Sequence, residues 1–333
     1  MIKKYNNSIF PYPNDCDFIF SIFDDTDVST LDNIRPVYDF LYKHGILTTK
    51  AVWPLDYDQD NSHFAGSHTL ENHAYAKYIK ELSKRGFEIA FHGASMESSN
   101  KEKTKRALEN FFDILGFFPR SYASHASNRE NLYWGTHRFS SKLLRIFYHT
   151  LGKDKNSYFG TDKSSEYFWG DLAKKHIAYT RSFTFYDINL LNITKYICYR
   201  SPHFPCVNNW FITSDADNVE EFNQLISAKN QDKLENERGI CIISTHFGKG
   251  FVSNGQLNPV TKELLLKLSR RKGLFVPVST LLDFISEKTC LDNEIPNSAL
   301  IKIEFHWLIR SISRRLYKKS YSMTEKEYLS KNQ

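Results

Sequence analysis

A chain of 333 residues, 41% hydrophobic and 25% charged with only 14 glycines and 10 prolines, is too apolar to be disordered and too poor in glycine and proline to be fibrous or of low complexity. A net charge of +6 is too dilute over this length to mark a nucleic-acid-binding protein, so its distribution decides its meaning. Cys16, Cys198, Cys206, Cys241 and Cys290 form no C-x-x-C pair, and no apolar run is long enough for a signal peptide or a membrane span, so a reduced, cytoplasmic chain is expected.

Residues 1–16 read as an N-terminal extension. FIFSIF (18–23) is a buried strand, and Thr30 caps a helix with Leu31, Ile34, Tyr38 and Leu41 on one face, ending at Gly45. ILTTKAVW (46–53) is a second strand, followed by a helix from Thr69 to Gly86. FEIAF (87–91) is a third strand, and Asn100 starts a helix that stops at Gly116. Residues 130–215 are rich in aromatics and weak in periodicity. The β-α alternation returns with a helix near 219–230, strand GICIIS (239–244), a helix through Val260, Leu264 and Leu268, strand LFVPV (274–278) and a helix opened by Ser279. Repeated units of this kind predict an α/β fold with a parallel sheet or barrel.

In parallel β/α folds, ligands gather at the C-terminal ends of strands. Asp24, Asp25 and Asp27 follow the first strand, His92 the third, His125 the short run RSYAS, and Thr245 and His246 follow GICIIS. Carboxylates and imidazoles on one rim, with no reactive cysteine, suit a metal-bound water better than a protein nucleophile.

The segments FIFSIFDDTD, GFEIAFHGAS and ICIISTHFGKG, in that order and spacing, resemble the polysaccharide deacetylase (NodB-homology, carbohydrate esterase 4) family. YFWGD, VNNWF and FVPVSTLLDFI resemble a divergent branch associated with bacterial surface-glycan clusters of the O-antigen or capsule type. The resemblance implies a deformed (β/α) barrel over residues 17–290. It also implies a hydrolase removing an N-acetyl group, or secondarily an O-acetyl group, from a sugar. By this resemblance Asp24 is the general base, His246 the general acid, and Asp25 and His92 ligands of a divalent metal ion, Zn2+ first and Co2+, Ni2+ or Fe2+ next. Three departures stand out. The second histidine expected four residues after His92 is Met96, for which His125 is the candidate replacement. The arginine that orients the catalytic acid is missing near Ala123, and the residues after the paired Asp are Thr26 and Asp27.

Trp134, Trp169 and Trp210 are candidate sugar-stacking residues, although large aromatics mostly fill cores. Two other functional classes compete. A carbohydrate-binding protein without catalysis, on the same fold, is left open by Met96. Asp25-Thr26-Asp27-Val28-Ser29 also resembles the D-x-D-x-T/S signature of haloacid-dehalogenase phosphatases, with Ser244 and Lys249 as its later partners.

The C-terminus differs in character. Residues 298–320 form a helix with Ile301, Phe305, Leu308, Ile312 and Leu316 on one stripe and Arg310, Arg314 and Lys318 opposite, and 321–333 form a polar tail. From residue 301 onward eight bases and three acids leave +5, so residues 1–300 carry only +1. A basic amphipathic helix suits peripheral contact with an anionic membrane, or packs against the barrel with its lysines solvated. The expected partners are thus an N-acetylated sugar, lipid-linked if the helix meets membrane, and no nucleic acid.

Overall fold

The computed structural model describes residues 16–58, 66–151, 158–288 and 294–318. The predicted N-terminal extension, except Cys16, and the polar tail lie outside these residues, as does Cys290. Cys16, Cys198, Cys206 and Cys241 are free thiols.

Eleven strands and ten α-helices follow one another along the described chain. They are β1 (Phe18–Asp24), α1 (Leu31–Lys43), β2 (Thr49–Val52), α2 (His73–Lys84), β3 (Glu88–Phe91), α3 (Lys101–Leu115), β4 (Ser121–Tyr122), α4 (Lys142–Thr150), α5 (Gly170–His176), β5 (Tyr179–Phe185) and β6 (Cys198–Tyr199). They continue with β7 (Asn209–Asp215), α6 (Val219–Leu225), α7 (Ala228–Asn236), β8 (Ile240–Thr245), β9 (Val252–Ser253), β10 (Gln256–Leu257), α8 (Pro259–Ser269), β11 (Gly273–Phe275), α9 (Val278–Lys288) and α10 (Asn297–Lys318). Strands β1, β2, β3, β4, β5, β7 and β8 pair in parallel in that order, and β8 returns to β1, closing a seven-stranded barrel. The barrel is deformed where β11 joins the first half of β1, pairing Phe18 with Gly273, while β2 pairs only with its end at Phe23 and Asp24.

Local chemistry explains the elements. β1 is buried at all seven positions, as expected for a parallel strand covered on both faces. Thr30 and Asn33 form a capping box that starts α1, and Asn100 accepts from Lys103 N to start α3, which ends on Gly116 in the left-handed conformation. The helix expected from Thr69 starts instead at the Asn72 cap. The single helix expected near 219–230 is two, α6 and α7, the first ending at Ile226 and the second starting after Ser227. The weakly periodic stretch 130–215 contains two barrel strands, β5 and β7.

Helix α10 packs against the barrel. Trp307 meets Phe139, Tyr148 and Phe183, and the buried Glu304 accepts from Ser140 N and Ser141 N. The stripe expected to pack as one is divided. Leu308 is buried and Ile312 packs beside it, but Ile301 and Phe305 are exposed at 42% and 53%. No helix among the described residues is long and apolar enough to cross a membrane.

Candidate active site at the C-terminal rim of the barrel

The loop after β1 carries three carboxylates and is held rigidly. Asp25 N donates to Thr245 O, Ser29 N to Thr26 O, and Asn33 Nδ2 to Val28 O. Val28 has φ +57, a left-handed conformation that a β-branched residue adopts only under strain of about 1–3 kcal/mol. Gly248 packs against this turn, and a Cβ there would lie 2.6 Å from Val28 O. The constrained loop turns Asp27 toward the imidazoles.

Asp24 does not face that centre. Its side chain is fully buried and accepts from Lys50 Nζ at 3.0 Å, Tyr38 Oη at 2.9 Å and Phe247 N at 2.7 Å, so both oxygens are occupied. Burial opposes the charge on Lys50, but Asp24 beside it raises its pKa overall.

Asp25 and Asp27 do face it. Both Asp25 oxygens accept from Arg181, at 2.9 and 2.7 Å, a bidentate fork on β5 at the irregularity where the β5–β7 register shifts. Burial opposes ionisation of Asp25, but Arg181, followed by His92 and His246, lowers its pKa. Asp27 lies 3.2 Å from His92 Nε2, 3.1 Å from His246 Nε2 and 3.9 Å from His125 Nε2. Burial again opposes ionisation, yet His246 and His125 hold its carboxyl well below the usual range.

The three histidines differ in their second nitrogens. Asn128 turns its amide nitrogen to Glu97 O and Glu130, leaving Oδ1 to accept from His125 Nδ1. Burial lowers the His125 pKa, so this ring is neutral and its Nε2 offers a lone pair toward Asp27. His246 Nδ1 donates to Asp217 O at 2.8 Å and faces the Asp217 carboxylate at 3.3 Å. Burial and Lys249 lower its pKa, but Asp27 and Asp217 outweigh them and raise it to about 9. His92 Nδ1 is buried without a hydrogen-bond partner. Burial raises the Glu130 pKa to about 7.

Among the described residues, no three His, Cys, Asp or Glu side chains stand in a metal-holding arrangement. The donor types nevertheless suit a borderline divalent cation: one anionic carboxylate, Asp27; the imidazole of His125; and the imidazole of His92, whose Nε2 faces Asp27 at 3.2 Å while its buried Nδ1, without a hydrogen-bond partner, lies 3.7 Å from Asp25 Oδ1. Met96 is packed with Val28 and Trp53 in a small apolar cluster.

Of the residues singled out from the sequence, Asp25, His92, His125 and His246 are brought together and Asp24 is held apart. Trp169 is core, its Nε1 donating to Glu130 O, while Trp134 and Trp210 line a narrow cavity beside the centre. Ser244 is bonded inside the barrel to Thr213 and Ser214 O, and Lys249 pairs with Asp217, so neither forms a phosphatase constellation with Asp25. Arg181, Asp217 and Lys50 were missed. For Arg181 the signal existed, an arginine in a run otherwise suited to a strand, but its partner lies 156 residues earlier.

Neither a family sequence model nor any curated protein matches the chain. Solved structures do. A protein assigned as a polysaccharide deacetylase from Mycobacterium smegmatis superposes with a TM-score of 0.53 at 11% identity, covering 86% of this chain and 96% of its own. A second so assigned, from Pseudomonas aeruginosa PAO1, gives 0.49 at 10% identity over 84% and 95%, and the allantoinase Puue 0.48 at 11% over 85% and 94%. The first of these, matching over nearly the whole of both chains, together with the closed parallel barrel, gives this chain the fold of the polysaccharide deacetylases.

Proposed function

We propose that the protein is a carbohydrate deacetylase that hydrolyses an N-acetyl group, or secondarily an O-acetyl group, on a sugar used in surface-glycan synthesis. The observation that carries this reading is the pairing, on one barrel rim, of an Arg181-tethered carboxylate with an Asp217-tethered imidazole, 3.8 Å apart, on either side of Asp27.

In this reading Asp25 is the general base, in place of Asp24, whose oxygens are both bonded away from the centre. A carboxylate kept ionised by Arg181 accepts the proton of the attacking water. His246, protonated below about pH 9, donates to the leaving amine. Asp217 keeps the His246 ring oriented through Nδ1. A divalent cation would be held by Asp27, His92 and His125, with Asp27 in place of Asp25. When bound, it supplies Lewis-acid polarisation of the acyl carbonyl and of the attacking water.

The test is metal analysis of the full chain after exposure to zinc, cobalt, nickel and iron, followed by acetate release from N-acetylhexosamines. Binding of about one ion per chain, lost in Asp27→Ala and kept in Asp24→Asn, is expected. Asp25→Asn is expected to lose roughly 10²- to 10⁴-fold in rate. A metal-loaded chain that binds sugar and releases no acetate would favour the non-catalytic carbohydrate-binding reading.

Contact with anionic membrane is a separate proposal, supported by the exposure of Ile301, Phe305 and Ile309 along α10 with Lys302 exposed among them. Co-sedimentation with anionic liposomes that survives deletion of 299–333 overturns it.

A further inference from the structure

The turn after β4 carries His125, and three hydrogen bonds tie it to the loop after β3, where Met96 stands at the position for which the resemblance expects an imidazole. Asn128 Nδ2 donates to Glu97 O at 3.2 Å, Ser99 N to Glu130 Oε2 at 3.0 Å, and Arg129 N to Ser98 Oγ at 3.1 Å. Within the turn, Asn128 Nδ2 also donates to Glu130 Oε1 at 3.1 Å, and Asn131 Nδ2 donates to His125 O at 2.6 Å. His125, Asn128, Glu130 and Asn131 are all buried, so a polar atom turned the wrong way here costs the full penalty of an unmet hydrogen bond.

The amide of Asn128 has one satisfactory orientation. A peptide carbonyl and an ionised carboxylate only accept, so both must face its Nδ2, which leaves Oδ1 toward His125 Nδ1 at 3.2 Å. An amide oxygen also only accepts, so Nδ1 of His125 carries the proton. In the neutral ring the lone pair is then on Nε2, the nitrogen on the Asp27 side, 3.9 Å from Asp27 Oδ1. Trp53 packs edge-on against the ring, centres 5.4 Å apart, and restrains its rotation. The opposite amide orientation would set two acceptors against Oδ1 and move the imidazole proton to Nε2, where it would block a cation. An imidazole ligand presents a bare nitrogen to the metal while its other nitrogen donates to an acceptor that fixes the ring. We propose that Asn128, aligned by Glu97 O and Glu130, is a positioning residue that fixes the Nδ1–H tautomer of His125, and so makes His125 a metal ligand in the place left by Met96. The ligand role rests on the deacetylase reading; the tautomer does not.

The experiment uses the full chain, metal-free and with isotope-labelled histidine, at about pH 8.5, above the value of about 7 to which burial raises Glu130. Long-range proton–nitrogen NMR correlation, with the ring assigned by its loss in His125→Gln, is expected to show His125 as the Nδ1–H tautomer. Asn128→Leu, of similar size and without an acceptor, should lose that preference and weaken zinc binding roughly 10- to 100-fold, measured by competition with a chromogenic chelator. Asn128→Asp, whose carboxyl still accepts from Nδ1, should keep the tautomer and most of the zinc affinity, a rescue that a merely structural role does not predict. A wild-type His125 with its proton on Nε2 overturns the proposal whether or not Asn128→Leu folds. Zinc binding unchanged in folded Asn128→Leu or in His125→Gln overturns it as well. Acetate release separates the two readings. If the zinc-loaded wild type deacetylates N-acetylhexosamines while folded Asn128→Leu binds zinc as tightly, the positioning role fails and the deacetylase reading stands. If Asn128→Leu loses both the tautomer and zinc while the wild type releases no acetate, the deacetylase reading fails and the role of Asn128 stands.

Discussion

Successive residues at the end of a strand point to opposite sides, and this separates Asp24 from Asp25 despite their adjacency. Asp24 turns toward Lys50 and Tyr38, where it joins α1, β2 and the turn after β8. Removing one member of a buried pair leaves the other charge uncompensated. Lys50→Met should therefore destabilise the protein by about 3–5 kcal/mol, measured by urea denaturation, and Asp24→Asn by less, because its amide still accepts from Phe247 N. Asp25→Asn should lower the rate and also cost some stability, because it leaves the nearly buried Arg181 without its counter-charge. Were Asp24 the base, folded Asp24→Asn would release no acetate. His246 supplies a pH test. Its pKa in the folded protein, about 9, is above the unfolded value near 6.5, so its stabilisation is complete below the lower value and is lost as pH rises through about 9. Thermal denaturation should show the wild type losing stability from neutral pH to pH 10 more steeply than His246→Gln.

At the scale of elements, the site depends on one close contact between loops. Gly248 lets the turn after β8 approach Val28 so closely that a Cβ would overlap its carbonyl. Gly248→Ala should push the Asp27 loop outward, costing about 1–3 kcal/mol of stability and lowering acetate release. Circular dichroism melting and initial rates check both parts. Helix α10 was legible as a helix from its period, but not in orientation, because it has more than one apolar side. The barrel takes Leu300, Ile303, Trp307 and Leu308, with Glu304 capping the N–H groups before α4, and leaves Phe305 outside. Trp307→Ala should cost about 3–5 kcal/mol by denaturant titration, since it covers Arg138, Phe139 and Tyr148.

At the scale of the molecule, closure of the barrel brings residues from 24 to 249 onto one rim. β11 wedges against β1 through Gly273, where a Cβ would lie 2.3 Å from the Phe18 ring. Gly273→Ala is expected to lower the melting temperature by forcing this junction apart. The sequence by itself determined the capped helices α1 and α3, the buried strands β1 and β8, and the residues at strand ends that carry chemistry, because these follow from local periodicity and capping. It left β5 and β7 unplaced, since β5 mixes buried and half-buried positions without regular alternation. Only the tertiary structure decided which carboxylate meets the imidazoles, that Arg181 rather than a residue near Ala123 tethers it, and which face of α10 is buried. Each of these is set by contacts between residues far apart in sequence, where strand twist, the β5 irregularity and barrel closure fix direction, and no local pattern encodes direction.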